Sequence, residues 1–287
     1  MNIIITGLIT GSMLALLSIG FSLIFGVARI VNIAHTAFYM VAAYCIYYLS
    51  FRLGLNVILS MVIADVTVTL IGLLVYKFAI DPIREHEAAV MIATIALAMF
   101  FQEVILQLFT FEYRSVDFLI QGYFTVGSNK IFYQQLLTFG AVLLILLVVW
   151  FLLMKTRLGL AIRSTAEDRE ISNLMGMNES RLAMITMGLS VCLAGITGAV
   201  IGPLYVLTPH MWMEPMIMMM AVVVLGGLGS IKGSFIAAYI LGFAEALVVF
   251  LLPTGAFLKG PVALIIMILV LLMRPEGLFG IAFEEER

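Results

Sequence analysis

The sequence predicts a single all-α, polytopic membrane domain over residues 1–287, with eight to ten transmembrane helices and one short helix on the cytoplasmic side. Three observations predict it. Hydrophobic residues make up 63% of the 287 and charged residues only 11%, against about 25% charged in a soluble domain; mean hydropathy is +1.18. Apolar runs recur along the whole chain, and the basic residues gather in alternate connections between them.

A bilayer core about 30 Å thick needs about 20 apolar helical residues to cross it. The first run, Ile3–Val27, carries no charge, no basic leader and no polar cleavage region, so it reads as a retained helix rather than a signal peptide. Ile30–Ser50, Leu55–Tyr76, Ala88–Phe111, Leu136–Met154 and Leu182–Leu207 follow, each long enough to span. Met211–Ser230 ends in glycines that allow it to re-enter instead of crossing. Ser234–Leu252 is a full run, and Pro261–Met273 is the shortest.

Orientation follows from lysine and arginine placement. With the connection from Lys155 to Arg181 inside and nine spans, the N-terminus lies outside and the C-terminus inside. The inner side then collects Arg29, Lys77, Arg84, Lys155, Arg157, Arg163, Arg169, Arg181, Lys232, Arg274 and Arg287, and the outer side keeps Arg52, Arg114, Lys130 and Lys259. Net charge is −2 with no long basic run, which argues against nucleic acid as a partner. Cys45 and Cys192 sit in apolar runs as small core residues rather than as a disulfide framework.

The stretch from Thr156 to Asn178 is the longest polar segment. Ser164 with Glu167, or Thr165 with Asp168, fits a capping box, and Glu167, Asp168 and Glu170 suit the positive start of a helix. Gly176 is placed to end it in a left-handed conformation. The segment therefore predicts a helix of about ten residues flanked by turns, with Ile171, Leu174 and Met175 on one apolar face.

Gly159, Ala161, Arg163, Ala166, Glu167, Asp168, Leu174, Gly176 and Asn178 form a pattern that resembles the cytoplasmic coupling loop of ABC-importer permeases, and more narrowly the high-affinity branched-chain amino-acid permeases. The resemblance extends to Gly26–His35, Ile80–Arg84, Leu225–Gly233 and Arg274–Gly280. It departs from the family pattern at Thr36 and Ala37, where Gly-Glu is common, and at Ser164 and Ser172, where Ala is usual. The resemblance implies a transport subunit in the cytoplasmic membrane of a prokaryote. It also implies ATP-binding subunits seated on the short helix, a second permease subunit, often a paralogue, and an external binding protein that delivers substrate. Gly159, Arg163, Glu167, Asp168, Leu174 and Gly176 are then the residues that couple to the ATPase.

The chain does not carry the ATPase itself, since Gly226–Ser234 reads G-G-L-G-S-I-K-G-S and fails the G-x-x-x-x-G-K-[ST] phosphate cradle. No cofactor or metal is expected: His86-Glu87 lacks the second histidine of a zinc motif, and His35 and His210 lie in other segments. The methionine cluster from Met211 to Met220 reads as pliable packing, and Gly7/Gly11, Gly198/Gly202 and Gly229/Gly233 as close helix contacts.

Polar groups inside apolar spans are costly unless they are paired or face water, so Asp65, Glu103, Gln107 and Glu245 become candidates for a translocation path. Asn32 and His35 join them and also fall on the family-like motif. The substrate is a branched-chain or related small amino acid on this reading, with urea or short amides as an alternative. A proton-driven secondary carrier, using Asp65 or Glu103, is the alternative from another class.

Overall fold

The computed structural model describes residues 2–126, 129–252 and 254–280. Its helices are α1 (Asn2–Ala28), α2 (His35–Tyr47), α3 (Val57–Val75), α4 (Glu87–Phe109), α5 (Tyr133–Lys155), α6 (Arg157–Glu167), α7 (Arg169–Leu174), α8 (Glu179–Ile201), α9 (Met213–Gly226), α10 (Ile231–Leu251) and α11 (Gly255–Met273). A hairpin, β1 (Tyr123–Val126) and β2 (Asn129–Phe132), pairs Tyr123 with Phe132 and Thr125 with Lys130. It belongs to the connection between α4 and α5, where backbone groups outside the bundle satisfy one another. The protein is an all-α polytopic membrane protein with six helices long and apolar enough to span unaided among the described residues.

Helix α1 organises the bundle. It is buried along most of its length, with Leu14 to Leu17, Phe21 and Ile24 fully enclosed. Its small residues admit α10 closely: Ser12 and Tyr239 share a hydrogen bond at 3.1 Å, and Ser22 and Ser234 one at 2.6 Å. These contacts set α1 and α10 antiparallel, as small-residue faces do in membranes. Helix α8 packs along α3 in the same manner.

The correspondence goes further. α2 packs on α3, α4 and α8, whereas α9 packs on α10, α11 and α1. The first four helices and the last four thus repeat one packing scheme in opposite membrane directions. In each half a long helix is followed by an irregular stretch and a short helix: residues 29–34 precede α2, and residues 205–212 precede α9. Thirteen and fourteen residues rise only about 20 Å, too little to cross the core alone.

Among the described residues the chain passes between the two faces of the bundle nine times, two of the passages being these interrupted ones. Met211–Ser230, expected as possible to re-enter, instead completes a passage: its irregular start continues from the far end of α8, and α9 ends beside the start of α10. Ile30–Ser50 is likewise a passage, helical only from His35 and ending in a wide π turn at Tyr48–Arg52. The last helix begins six residues before the apolar run Pro261–Met273 and takes in Lys259. Arg29, Lys77, Arg84, Lys155, Arg157, Arg163, Arg169, Arg181, Lys232 and Arg274 all lie on the face that carries α6 and α7, Arg163 inside α6 and the others at or beside helix ends. Arg287 lies outside the described residues.

The same face is closed by a glycine knot. The segment after α11 runs beside the end of α9, with Leu278 N–H donating to the Leu225 carbonyl (2.8 Å) and Phe279 N–H to that of Gly226 (3.1 Å). These bonds satisfy carbonyls that a helix end leaves open. A side chain at Gly233, in the first turn of α10, would overlap the Gly226 carbonyl group. Gly233→Ala should therefore lower stability by at least about 1–3 kcal/mol, the usual cost of overpacking. Gly140→Ala in α5, with nothing within 4 Å of the added carbon, should be neutral or stabilising by up to about 1 kcal/mol. Thermal unfolding of both variants in detergent checks the contrast.

Candidate translocation path and coupling surface

The interrupted passage before α2 concentrates buried polar groups. Asn32, His35 and Thr36 are all fully buried. Asn32 Nδ2 donates to Met187 Sδ on α8 at 3.7 Å, and Ile33 N–H donates to Thr94 Oγ1 on α4 at 3.3 Å. His35 Nδ1 and Ser190 Oγ share a hydrogen bond at 3.2 Å. Asn32 Oδ1, His35 Nε2 and Thr36 Oγ1 have no hydrogen-bond partner among the described residues. Irregular backbone at membrane depth is tolerated only where protein encloses it or it borders a water-filled space. Here α1, α4 and α8 enclose it.

One turn beyond Thr36, Tyr39 reaches a cavity of about 240 Å³ that also meets the interrupted passage before α9. Glu245 on α10 lines it together with Glu214 on α9 and Lys259 on α11. The Lys259 ammonium lies 3.0 Å from Glu245 and 3.4 Å from Glu214. Met13, Met211, Pro215 and Met218 supply apolar wall. Pairing lets charges persist at this depth, where an isolated one would be costly.

The other expected path residues stand elsewhere. Asp65 packs against α8, where Gly195 leaves room for its carboxylate and Cys192 Sγ donates to it at 3.3 Å. That is an interhelical contact. Glu103 and Gln107 are exposed on the outer surface of α4, while their neighbour Gln102 is buried and accepts a hydrogen bond from Trp212 Nε1 at 2.9 Å. Asn32 and His35 thus share one place, Glu245 lies in the cavity, and the remaining three lie on α3 and α4.

Thr36, Tyr39, Gln102, Glu214 and Lys259 were not expected from the sequence as path residues. Lys259 had a signal, a lone cation beside an apolar run, but the run was drawn from Pro261. Among the described residues no group of three or more His, Cys, Asp or Glu is arranged to hold a metal ion.

The polar segment between α5 and α8 differs from the expected single helix. Helix α6 begins at Arg157, capped by Thr156, whose hydroxyl accepts from Gly159 N–H at 3.1 Å. It ends at Glu167, and Asp168 starts α7 by accepting from Ile171 N–H at 2.9 Å. Asp168 therefore caps a second helix rather than stabilising the first turn of one that starts at Ser164 or Thr165. Gly176 follows α7 with φ +84°, the left-handed geometry that glycine takes at helix ends.

The residues expected to couple divide accordingly. Gly159 abuts the backbone at Leu152 and Leu153, and Arg163 Nε donates to the Leu153 carbonyl at 3.1 Å. Both fix α6 to the end of α5. Glu167 and Asp168 are exposed at the corner between α6 and α7. Leu174 is 86% exposed and Met175 77%, with Ile171 beside them, so the corner presents an apolar knob. Its inner side is anchored, with Ala166 against Gly26 of α1 and Arg169 3.4 Å from Glu179 of α8. Burial lowers the Arg169 pKa against the pull of Glu179, and nearby Arg29 and Arg84 lower it further.

Residues 3–271 match the family model described as branched-chain amino acid transport system / permease component. The chain is 29% identical to the high-affinity branched-chain amino acid transport system permease protein BraD of Pseudomonas aeruginosa, over 96% of this chain and 94% of that one. It is also 29% identical to LivH of Escherichia coli, over 96% and 93%. A probable branched-chain amino acid transport permease protein LivH of Methanocaldococcus jannaschii is 28% identical, over 97% and 92%. Among solved structures, PsaBC from Streptococcus pneumoniae in complex with Fab shares the fold with a TM-score of 0.51 at 16% identity, covering 95% of this chain and 91% of that one. An integral, multi-pass bundle with a polar corner on one face and a family match over nearly its whole length leads to one assignment: the chain belongs to the branched-chain amino acid transport system permease family.

Proposed function

We propose that the chain is a permease subunit of an ATP-driven importer for branched-chain or related small amino acids. An external binding protein delivers the substrate, ATP is hydrolysed on partner subunits, and a second permease, a paralogue, completes the membrane part. The α6/α7 face is cytoplasmic, the C-terminus lies on that side, and the host membrane is the inner membrane of a prokaryote. The excess of arginine and lysine on this face supports the orientation.

The observation that carries the reading is the corner of α6 and α7. Ile171, Leu174 and Met175 project from it, while Gly159, Arg163 and Arg169 bind its base to α5 and α8. An exposed apolar knob on a rigidly mounted polar segment is suited to a groove on a partner protein. Glu167 and Asp168 border the knob, and Gly176 turns the chain back toward α8. Force applied to the knob reaches α1 through the contact of Ala166 with Gly26. In the path, Asn32, His35 and Glu245 line the route for substrate. Asp65 keeps α3 against α8, and Glu103 with Gln107 faces the second permease.

Leu174→Glu should leave the chain folded, because the side chain touches little of the protein, yet reduce copurification of the ATPase subunits and amino-acid uptake by more than about tenfold, roughly 1.4 kcal/mol or more of binding. Normal values for both would remove the coupling role. Asp168→Ala deletes the α7 cap, worth about 0.5–2 kcal/mol. It should loosen α7 and reduce uptake less than Leu174→Glu does, as read by hydrogen exchange at Ile171 and by the same uptake assay.

A further inference from the structure

The cavity between α9, α10 and α11 has a lining that goes beyond a route for small solutes. Its two carboxylates and one ammonium form a row, Glu245–Lys259–Glu214, with unequal spacings of 3.0 and 3.4 Å. Glu245 is nearly enclosed, its side chain 10% exposed, whereas that of Glu214 is 63% exposed. The inner pair is therefore the shorter and more enclosed, and the outer pair the more accessible to an entering ligand. Glu214 stands in the first turn of α9, just after the irregular stretch that precedes it.

Met13, Met218 and Pro215 lie on the other walls. Thioether side chains adapt their shape to aliphatic groups. A ligand matched to this lining carries one positive charge, one negative charge and an apolar tail. A simple cation would leave Lys259 repelled, and a simple anion would face two carboxylates.

We infer that this cavity is a binding station within the single chain for an aliphatic amino acid in its zwitterionic form, inserted between Lys259 and Glu214. The ligand carboxylate takes the place of Glu214 beside the Lys259 ammonium, and the ligand ammonium pairs with the freed Glu214 carboxylate. Each charge in the row keeps an opposite neighbour throughout, so no charge is left unpaired. No proton moves and no covalent bond changes. The aliphatic tail lies against the methionines, and Tyr39 forms the floor on the side of Thr36 and His35. This inference rests on the importer reading and adds the place and the groups that hold the substrate.

Val206 lines the cavity and is 56% exposed, which makes it a reporter outside the charged row. The Val206→Cys chain, assembled with its partner subunits in proteoliposomes, is labelled with a membrane-impermeant maleimide, with the unsubstituted complex as background. L-leucine should slow labelling several-fold, whereas 4-methylpentanoate, which lacks the ammonium, and isopentylamine, which lacks the carboxylate, should not. Glu214→Gln in the Val206→Cys chain should abolish the protection while ATPase copurification stays normal. Lys259→Arg, which keeps the charge, should retain protection.

Unchanged labelling in leucine overturns the inference, as does equal protection by either one-charge analogue or full protection in Glu214→Gln. Leucine uptake by the unsubstituted complex is measured in parallel. Uptake without protection removes this station and leaves the importer reading standing; absence of uptake removes the importer reading itself.

Discussion

The constraint on which the structure depends is that backbone groups surrounded by lipid must find partners within the protein. Seven of the nine passages among the described residues meet it by being helical throughout. The passages before and through α2 and α9 do not, because residues 29–34 and 205–212 leave the helical conformation. Such stretches survive only inside a shell. That places α2 among α3, α4 and α8, and α9 among α1, α10 and α11. It also explains why α1 is buried nearly from end to end although it is as apolar as a lipid-facing helix. In the stretch before α9, Arg114 and Leu207 exchange backbone hydrogen bonds, so the loop after α4 supplies partners that a helix would have supplied internally.

The polar chemistry follows from these two interruptions. Where the helix stops, side chains with hydrogen-bonding capacity become useful, and Asn32, His35 and Thr36 gather at one interruption while Tyr205, Thr208 and Glu214 gather at the other. Tyr39 lies between the two groups, on the same α2 face as Thr36 by helical spacing. The α6/α7 corner connects to the same framework. Its anchors are Gly26, at the end of α1 just before the first interruption, and Glu179, at the start of α8, whose far end leads into the second. One rigid corner therefore grips the two long helices that precede the irregular stretches.

Much of this was legible in the sequence, and the limits have physical causes. Hydropathy located all nine passages because the requirement for apolar side chains is the same whether a passage is helical or interrupted. For that reason it was blind to the interruptions: Ile30–Ser50 reads as one apolar run although the helix starts only at His35. Helix facing was the second limit. Glu103 and Gln102 are adjacent, and the exposed one carries the charge that drew attention, while the buried amide bonds to Trp212 across more than a hundred residues of sequence. The third limit was local competition between caps. Ser164, Thr165 and Asp168 all have cap chemistry, and the outcome was decided by Thr156, which starts a helix earlier and leaves Asp168 at a new beginning.

The inverted arrangement of the two halves has a mechanical consequence. α2 starts on the α6/α7 side of the bundle and runs away from it, whereas α9 starts on the opposite side and runs toward it. The two short helices therefore start on opposite sides of the bundle, one beside the α6/α7 corner and the other beside the charged cavity. The glycine knot fixes the α9 end, since Leu278 and Phe279 hold it by backbone hydrogen bonds independent of side-chain packing. The start of α9 is held by side chains instead, with Trp212 Nε1 donating to Gln102 at 2.9 Å and the Lys259 ammonium 3.4 Å from Glu214. On the proposed coupling role, motion driven from the α6/α7 corner meets backbone hydrogen bonds at the end of α9 and side-chain contacts at its start, beside the charged cavity.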